Sequence, residues 1–423
     1  MNVMRIILFE CKKALLSPII VCLLLLFTGW NIFIIYNASD FKEELPIVNE
    51  LAGKYGARYT DALLATLDNE ITTEVAQMNT ITEKKTSQTF AGADDFFEQL
   101  TFEEQGRYTE KELDTFYDLF LKEMYRSAAA SMDESYAGFD IQKIGESEIT
   151  KFGLTGSAAE TLRKEYEAFA DRFATLQQNG EHRSWFFSGQ NYHMHSLLFS
   201  TVFRHLVIEG MILVVLATAL ITNFEFEHRN QLVAYTTRRG RTLMADKLVA
   251  SLLTILAIII FLSVVTLGTY FTVFDYAHLW KTAISSGFNW ENNFPYVSWW
   301  NWSFLTYFLM SLVLLFICML LFSLFTFSIS VLVKNSYFTF IIFASLFIAF
   351  FLIPGFIPNS TNFMLMSGYT LSTLVLNPHQ WWMGTGGLAM FKNYEWMTIT
   401  VWTIILIALC GFSFKKFARQ DIS

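Results

Sequence analysis

Long apolar runs alternate with polar stretches along the chain. The apolar runs occupy positions 18–36, 200–222, 248–274, 303–330, 337–353 and 397–414. Most approach the roughly 20 residues that an α-helix needs to cross a hydrocarbon core, and only helices or closed barrels satisfy their own backbone there. Six transmembrane helices are therefore expected. Between the first two runs the pattern changes. The segments ARYTDALLATLDNEITTEVAQM, TEKELDTFYDLFLKEMYRSAAASM and SAAETLRKEYEAFADRFATLQ repeat apolar residues every three to four positions, which is the period of amphipathic helices. At roughly 155 residues this region is large enough to bury a core of its own. Phe96, Phe97, Phe102, Phe116, Tyr117 and Phe120 are its expected core aromatics, a ligand groove lined by them being the sharper alternative. Positions 1–17 place Arg5, Lys12 and Lys13 on one side of a helical pattern that stops at Pro18, as expected for a helix lying in a membrane interface.

The expected fold is an all-α polytopic membrane protein. It comprises six transmembrane helices, an N-terminal interfacial helix, and a mainly helical extracytoplasmic domain inserted between helices 1 and 2. The boundaries are 1–36 for the interfacial elbow helix and first span, 37–199 for the extracytoplasmic domain, and 200–423 for spans two to six.

Composition sharpens this division. Of 423 residues, 53% are hydrophobic and only 16% charged, with 43 Phe and 11 Trp, which excludes an ordinary soluble protein. The net charge of -8 belongs to one region, since positions 37–200 hold 15 basic and 29 acidic side chains. Cys11, Cys22, Cys318 and Cys410 all lie in or beside apolar runs, so no disulfide framework is available to the polar region. The first apolar run is too long for the core of a cleaved signal peptide and no Ala-x-Ala site follows; a retained signal anchor is expected. Lys and Arg concentrate in the segments facing one side, while the two shorter loops on the other side hold only Lys281 and Lys392. This bias places both termini in the cytoplasm.

Positions 223–247 form a dense polar block between two spans, NFEFEHRNQLVAYTTRRGRTLMADK. Its basic residues Arg229, Arg238, Arg239, Arg241 and Lys247 assign it to the cytoplasmic surface. Leu232, Val233, Tyr235, Leu243 and Met244 supply an apolar side. Glu225 and Glu227, then Asn230-Gln231-Leu232, Tyr235-Thr236-Thr237, Arg238-Arg239-Gly240-Arg241 and Asp246-Lys247-Leu248 together resemble the first cytoplasmic loop of ABC-2 type transporter permeases. Glu10 and Lys13 similarly resemble the Glu-x-x-Lys pair of that family's elbow helix, and Leu376-Asn377-Pro378 its Asn-Pro turn before the last span. The plain alternative for Arg238 to Arg241 is a basic loop that only fixes topology.

The resemblance implies the membrane subunit of a bacterial plasma-membrane ABC exporter, paired with a second permease subunit as a homodimer or a related heterodimer. Its coupling helix docks on a separate ABC ATPase subunit. The coupling residues it implies are Glu225, Glu227, Arg229, Leu232, Tyr235, Arg238, Arg239 and Arg241, with Leu232 and Tyr235 as central anchors and the charges at the rim. Lipid is the remaining partner, and nucleic acid is not one. The sequence contains no G-x-x-x-x-G-K-[ST]. The chain itself is therefore expected to be no enzyme and to bind no cofactor, with ATP and Mg held by the partner ATPase. The competing class is a membrane sensor or scaffold that binds an extracytoplasmic peptide or envelope ligand without transport.

Other features carry weaker chemistry. Pro354-Gly355-Phe356-Ile357-Pro358 breaks the fifth span and begins an outer re-entrant region over 354–396, in which Pro354, Gly355, Pro358, Asn377 and Pro378 are the expected pathway positions. Trp280, Trp290, Trp299, Trp300 and Trp302 fit an outer aromatic belt. Glu209 needs a partner at membrane depth, and His205 is in reach one turn earlier. His193 and His195 would share a face only on a strand; in the helix expected there they diverge, so no metal site is expected.

Overall fold

The computed structural model describes residues 3–187, 195–235, 240–291, 294–385 and 387–419. Its helices are, in chain order, α1 (Val3–Leu15), α2 (Pro18–Asn37), α3 (Leu45–Tyr55), α4 (Asp61–Thr86), α5 (Ala93–Gln99), α6 (Phe102–Gln105), α7 (Glu110–Ala137), α8 (Ile141–Lys151) and α9 (Gly156–Gln178). A π-helical turn, Ser196–Val202, leads into α10 (Phe203–Glu227), followed by α11 (Gln231–Tyr235), α12 (Leu243–Val273), α13 (Phe304–Val333), α14 (Ser336–Leu352), α15 (Asn362–Ser367), α16 (Leu371–Leu376) and α17 (Tyr394–Arg419). A two-residue antiparallel ladder pairs β1 (Trp290–Glu291) with β2 (Phe294–Pro295). Among the described residues six helical segments are long and apolar enough to cross a membrane. They run alternately up and down, so α1 and the end of α17 lie at one end of the bundle, here called proximal.

The helices α10, α12 and α13 pack on one another, α17 packs on α13, and α1 lies against α12 and α10. The α1 helix buries Ile6, Ile7, Glu10, Cys11 and Ala14 while Met4, Leu8 and Phe9 remain exposed. Chain punctuation follows local chemistry. Pro18 starts α2 at a position where no amide donor is needed. Thr109 and Glu112 form a reciprocal capping box at the start of α7. The fifth span ends where the sequence breaks, in a short 3₁₀ turn over Ile353–Phe356.

The region expected to be a self-contained domain divides in two. Met78, Phe90, Phe96, Tyr108, Phe116 and Leu119 make a small cluster of their own at its tip. Phe97 and Phe120 pack around that cluster and Tyr117 stacks on Phe120, whereas Phe102 is 92% exposed and contributes nothing to it. The rest of the region shares one continuous core with the membrane-length helices. Helices α8 and α9 dock on the segments that connect the distal ends of the spans. Arg172 binds both carboxylate oxygens of Glu181 at 3.0 and 2.6 Å and also donates to the carbonyls of Ser298 and Trp299. Thr155 donates its amide to the Asn359 carbonyl at 3.1 Å, and Asn359 returns a bond to Phe152. Gly384 lies so close to Phe169 that a Cβ there would come within 2.1 Å of the ring.

This docking also revises the aromatic belt. Trp299 is buried, and Trp280, Trp290, Trp300 and Trp302 are half-buried. They pack inside the protein, with Trp299 on Phe169, Trp290 on Phe139 and Trp302 on Trp382. The rings serve the junction between the distal helices and the spans rather than a bare perimeter.

Candidate functional site

At the proximal end four charges are buried together. Lys13 bonds Glu10 and Glu225, each at 2.7 Å. Lys247 pairs with Glu225, lies 3.5 Å from Glu10, and donates to the Ile221 carbonyl at 2.5 Å. Lys13 also sits over the Phe224 ring, 4.3 Å from its centre. Side-chain exposure is 4% for Glu10, 9% for Lys13, 7% for Glu225 and 0% for Lys247, so the two carboxylates and two ammonium groups must neutralise one another. The Glu-x-x-Lys spacing sets Glu10 and Lys13 on one face of α1. Glu225 stands in the last turn of α10 and Lys247 in the second turn of α12. One cluster thus ties three helices at both borders of the polar block.

The block itself differs from the expected rim-and-anchor arrangement. Glu225 is no rim charge, because α10 extends past it and turns it toward α1. Glu227 accepts the Ser336 amide at 2.6 Å and so caps the start of α14. Arg229 is exposed and has φ 56°, in a turn where its amide reaches Phe226 and the Asn230 amide reaches Glu225. This is the left-handed helix ending that glycine usually fills. Leu232 and Val233 on α11 are 53% and 73% exposed. Tyr235 is instead buried against Phe226 and Phe417. Burial, with Glu225 and Glu10 nearby, pushes its phenol well above the usual range, so it acts as internal packing rather than an exposed anchor. Arg241 donates to the Ala418 carbonyl in the last turn of α17. Arg238 and Arg239 lie outside the described residues, as do Thr236 and Thr237.

At the distal end a cavity of 1220 Å³ opens between α8 and α9 on one side and the segments around α14, α15 and α16 on the other. Pro354 and Asn377 line it, together with His379 and Gln380. Gly355 and Pro358 are exposed outside it and Pro378 is buried beside it. His379 has a buried Nδ1 without a partner. Burial, and then the Arg204 charge, lower its imidazole to about 4, so it is a neutral donor or acceptor near neutral pH. Its carbonyl meets His195 Nε2 at 3.0 Å. His193 lies outside the described residues, and among those described no group of three metal-ligating side chains occurs. A smaller cavity of 450 Å³ borders Asp133, His182 and Arg183. There the Arg183 guanidinium, burial opposing it, helps hold the Asp133 carboxyl at about 2.

Glu209 also found a different partner from the one its own helix offers. It accepts from Asn31 of α2 at 2.7 Å, and Asn31 donates again to Thr266 of α12 at 3.1 Å. The amide donor satisfies the carboxylate across helices, leaving His205 out of the pair. Nothing in the hydropathy of α2 points to this, although Asn31 is an isolated amide deep in an apolar run.

Fold and site define a multi-pass helical membrane protein with a braced polar block at one end and a chamber at the other. Comparison of the chain with protein-family models, with curated proteins and with solved structures finds no match.

Proposed function

We propose that the chain is the permease subunit of an ATP-driven ABC-2 type exporter, and that its proximal end faces the cytoplasm of a bacterial cell. The observation that carries this reading is the proximal block. A short helix presents Leu232 and Val233 outward, while the chain beside it is fixed to α1, α10 and α12 by buried charges, to α14 by Glu227 and to α17 by Arg241. A loop serving only to turn the chain does not require a link to five helices. A partner pressing on α11 would transmit force to all of them. The expected partners are an ABC ATPase subunit, which carries the ATP and Mg, and a second permease subunit. In the same reading α1 lies in the cytoplasmic interface and α3–α9 lie outside the cell.

The second reading, a sensor without transport, draws support from the distal cavity between the outer helices and the span connections. Vectorial movement of a substrate separates the two. The test of the transporter reading begins with purification of the full chain from its native membrane and identification of any nucleotide-hydrolysing polypeptide that accompanies it. Leu232→Ala with Val233→Ala is expected to leave the protein inserted and to weaken that association by about 2–4 kcal/mol, the usual loss on truncating central anchors. Undiminished association and ATP turnover would remove the support for docking at α11.

A further inference from the structure

We propose that the distal cavity is a phospholipid site, filled from the bilayer through its apolar floor. At 1220 Å³ the chamber exceeds the roughly 300–1,000 Å³ of ordinary small-ligand pockets, so it has room for a molecule much larger than an ion, a sugar or an amino acid.

Two independent features select a membrane amphiphile. The first is the wall. Helix α15 turns Met364 and Leu365 into the cavity, both buried, while Phe363 and Met366 on its other side are 65% and 67% exposed. Phe351 of α14 lines the chamber and is itself 44% exposed. A single layer of apolar side chains therefore separates the chamber from a surface suited to hydrocarbon, and an acyl chain can pass between them without losing apolar surroundings.

The second feature is the rim. From the N-cap Asp140 along α8 the residues facing the cavity are Asp140, Lys143, Ile144, Ser147, Glu148 and Lys151, a stripe at steps of three and four that marks one helical face. The opposite face buries Ile141, Gly145 and Ile149. Lys151 and Glu148 lie 3.0 Å apart. The cavity thus has charges of both signs along one edge and aromatic and aliphatic walls elsewhere, with Phe139, Phe152 and Tyr296 among them. A phosphate-bearing headgroup meets the lysines, an ammonium on the same headgroup meets the carboxylates, and the chains take the walls. A free anion would leave the apolar chamber unused. The inference needs only that the helices span a membrane, and its outcome is independent of ATPase docking.

The test uses the full-length chain in nanodiscs of phosphatidylethanolamine and phosphatidylglycerol, with a fraction of each lipid carrying a diazirine at the chain terminus. After illumination, adducts are mapped by mass spectrometry. Adducts are expected on the apolar walls that take the chains, at Phe139, Phe152, Tyr296 and Leu388, as well as on the lipid-facing sides of α2 and α14. Ser147→Trp, which projects an indole into the chamber from an exposed position, should lower the chamber adducts by about tenfold and leave those on α2 and α14 unchanged. Thr385→Trp provides the same test from the facing wall should the first variant fail to fold. Lys143→Glu with Lys151→Glu should selectively reduce phosphatidylglycerol adducts. Labelling confined to α2, α14 and α17, or chamber labelling indifferent to both tryptophan variants, overturns the proposal. Displacement of the lipid by inorganic phosphate alone also overturns it, since the site would then belong to a free anion.

Discussion

Lys247 is the residue on which the proximal cluster turns. Its side chain has no exposure and its neighbours are two carboxylates and two carbonyls. Removing one member of a buried ion cluster leaves an uncompensated charge, at a cost of about 3–5 kcal/mol. Lys247→Met alone is therefore expected to lower the thermal stability of the solubilised protein strongly. Lys247→Met combined with Glu225→Gln should recover much of the loss, because the remaining Glu10 and Lys13 still neutralise each other. Equal destabilisation by the single and double variants would show that the charges are not coupled. All four residues are visible in the sequence as charges beside apolar runs, and the Glu10–Lys13 spacing is legible as one helix face. Their meeting is not legible, because it depends on α1 folding back against α10 and α12, and 212 positions separate Lys13 from Glu225. The same limit explains Glu209, whose partner Asn31 is 178 positions away while His205 is adjacent on the helix.

At the scale of elements, periodicity placed the long helices well. The amphipathic segments correspond to α4, α7 and α9, and the apolar runs to the spans, with ends displaced by a few residues where polar side chains extend the helix. Thus α10 continues to Glu227 and α12 begins at Leu243. Phe102 misled the pattern because a residue at the start of a one-turn helix has no second turn to pack beneath it. Composition alone sets the tryptophans between the third and fourth spans against lipid, because it does not reveal a protein neighbour. For Trp299 that neighbour is α9, and the docking of α9 depends on close approach. Gly384→Ala would force a Cβ into Phe169 and is expected to destabilise the α9 contact by about 1–3 kcal/mol. Limited proteolysis of the distal helices, faster in the variant than in the parent protein, checks this. Unchanged proteolysis would mean that the contact gives way without cost.

For the whole molecule, six spans and two polar regions follow from hydropathy, but the relation between those regions does not. One core runs from α1 through the spans into α8 and α9, so the distal helices are built onto the bundle and only their tip packs by itself. This continuity gives the transporter account its mechanical content, since α11 packs on α10 and α10 packs on α14, whose Phe351 lines the distal chamber. The central claim is that α11 meets an ATPase. It is tested most directly by placing a photocrosslinking amino acid at Val233, which is 73% exposed, and illuminating intact cells. The account predicts a crosslink to a polypeptide carrying a phosphate-binding G-x-x-x-x-G-K-[ST] loop, and no such crosslink from a probe at Ser131 on α7. Crosslinking of Val233 only to lipid, with no ATPase captured, would contradict it.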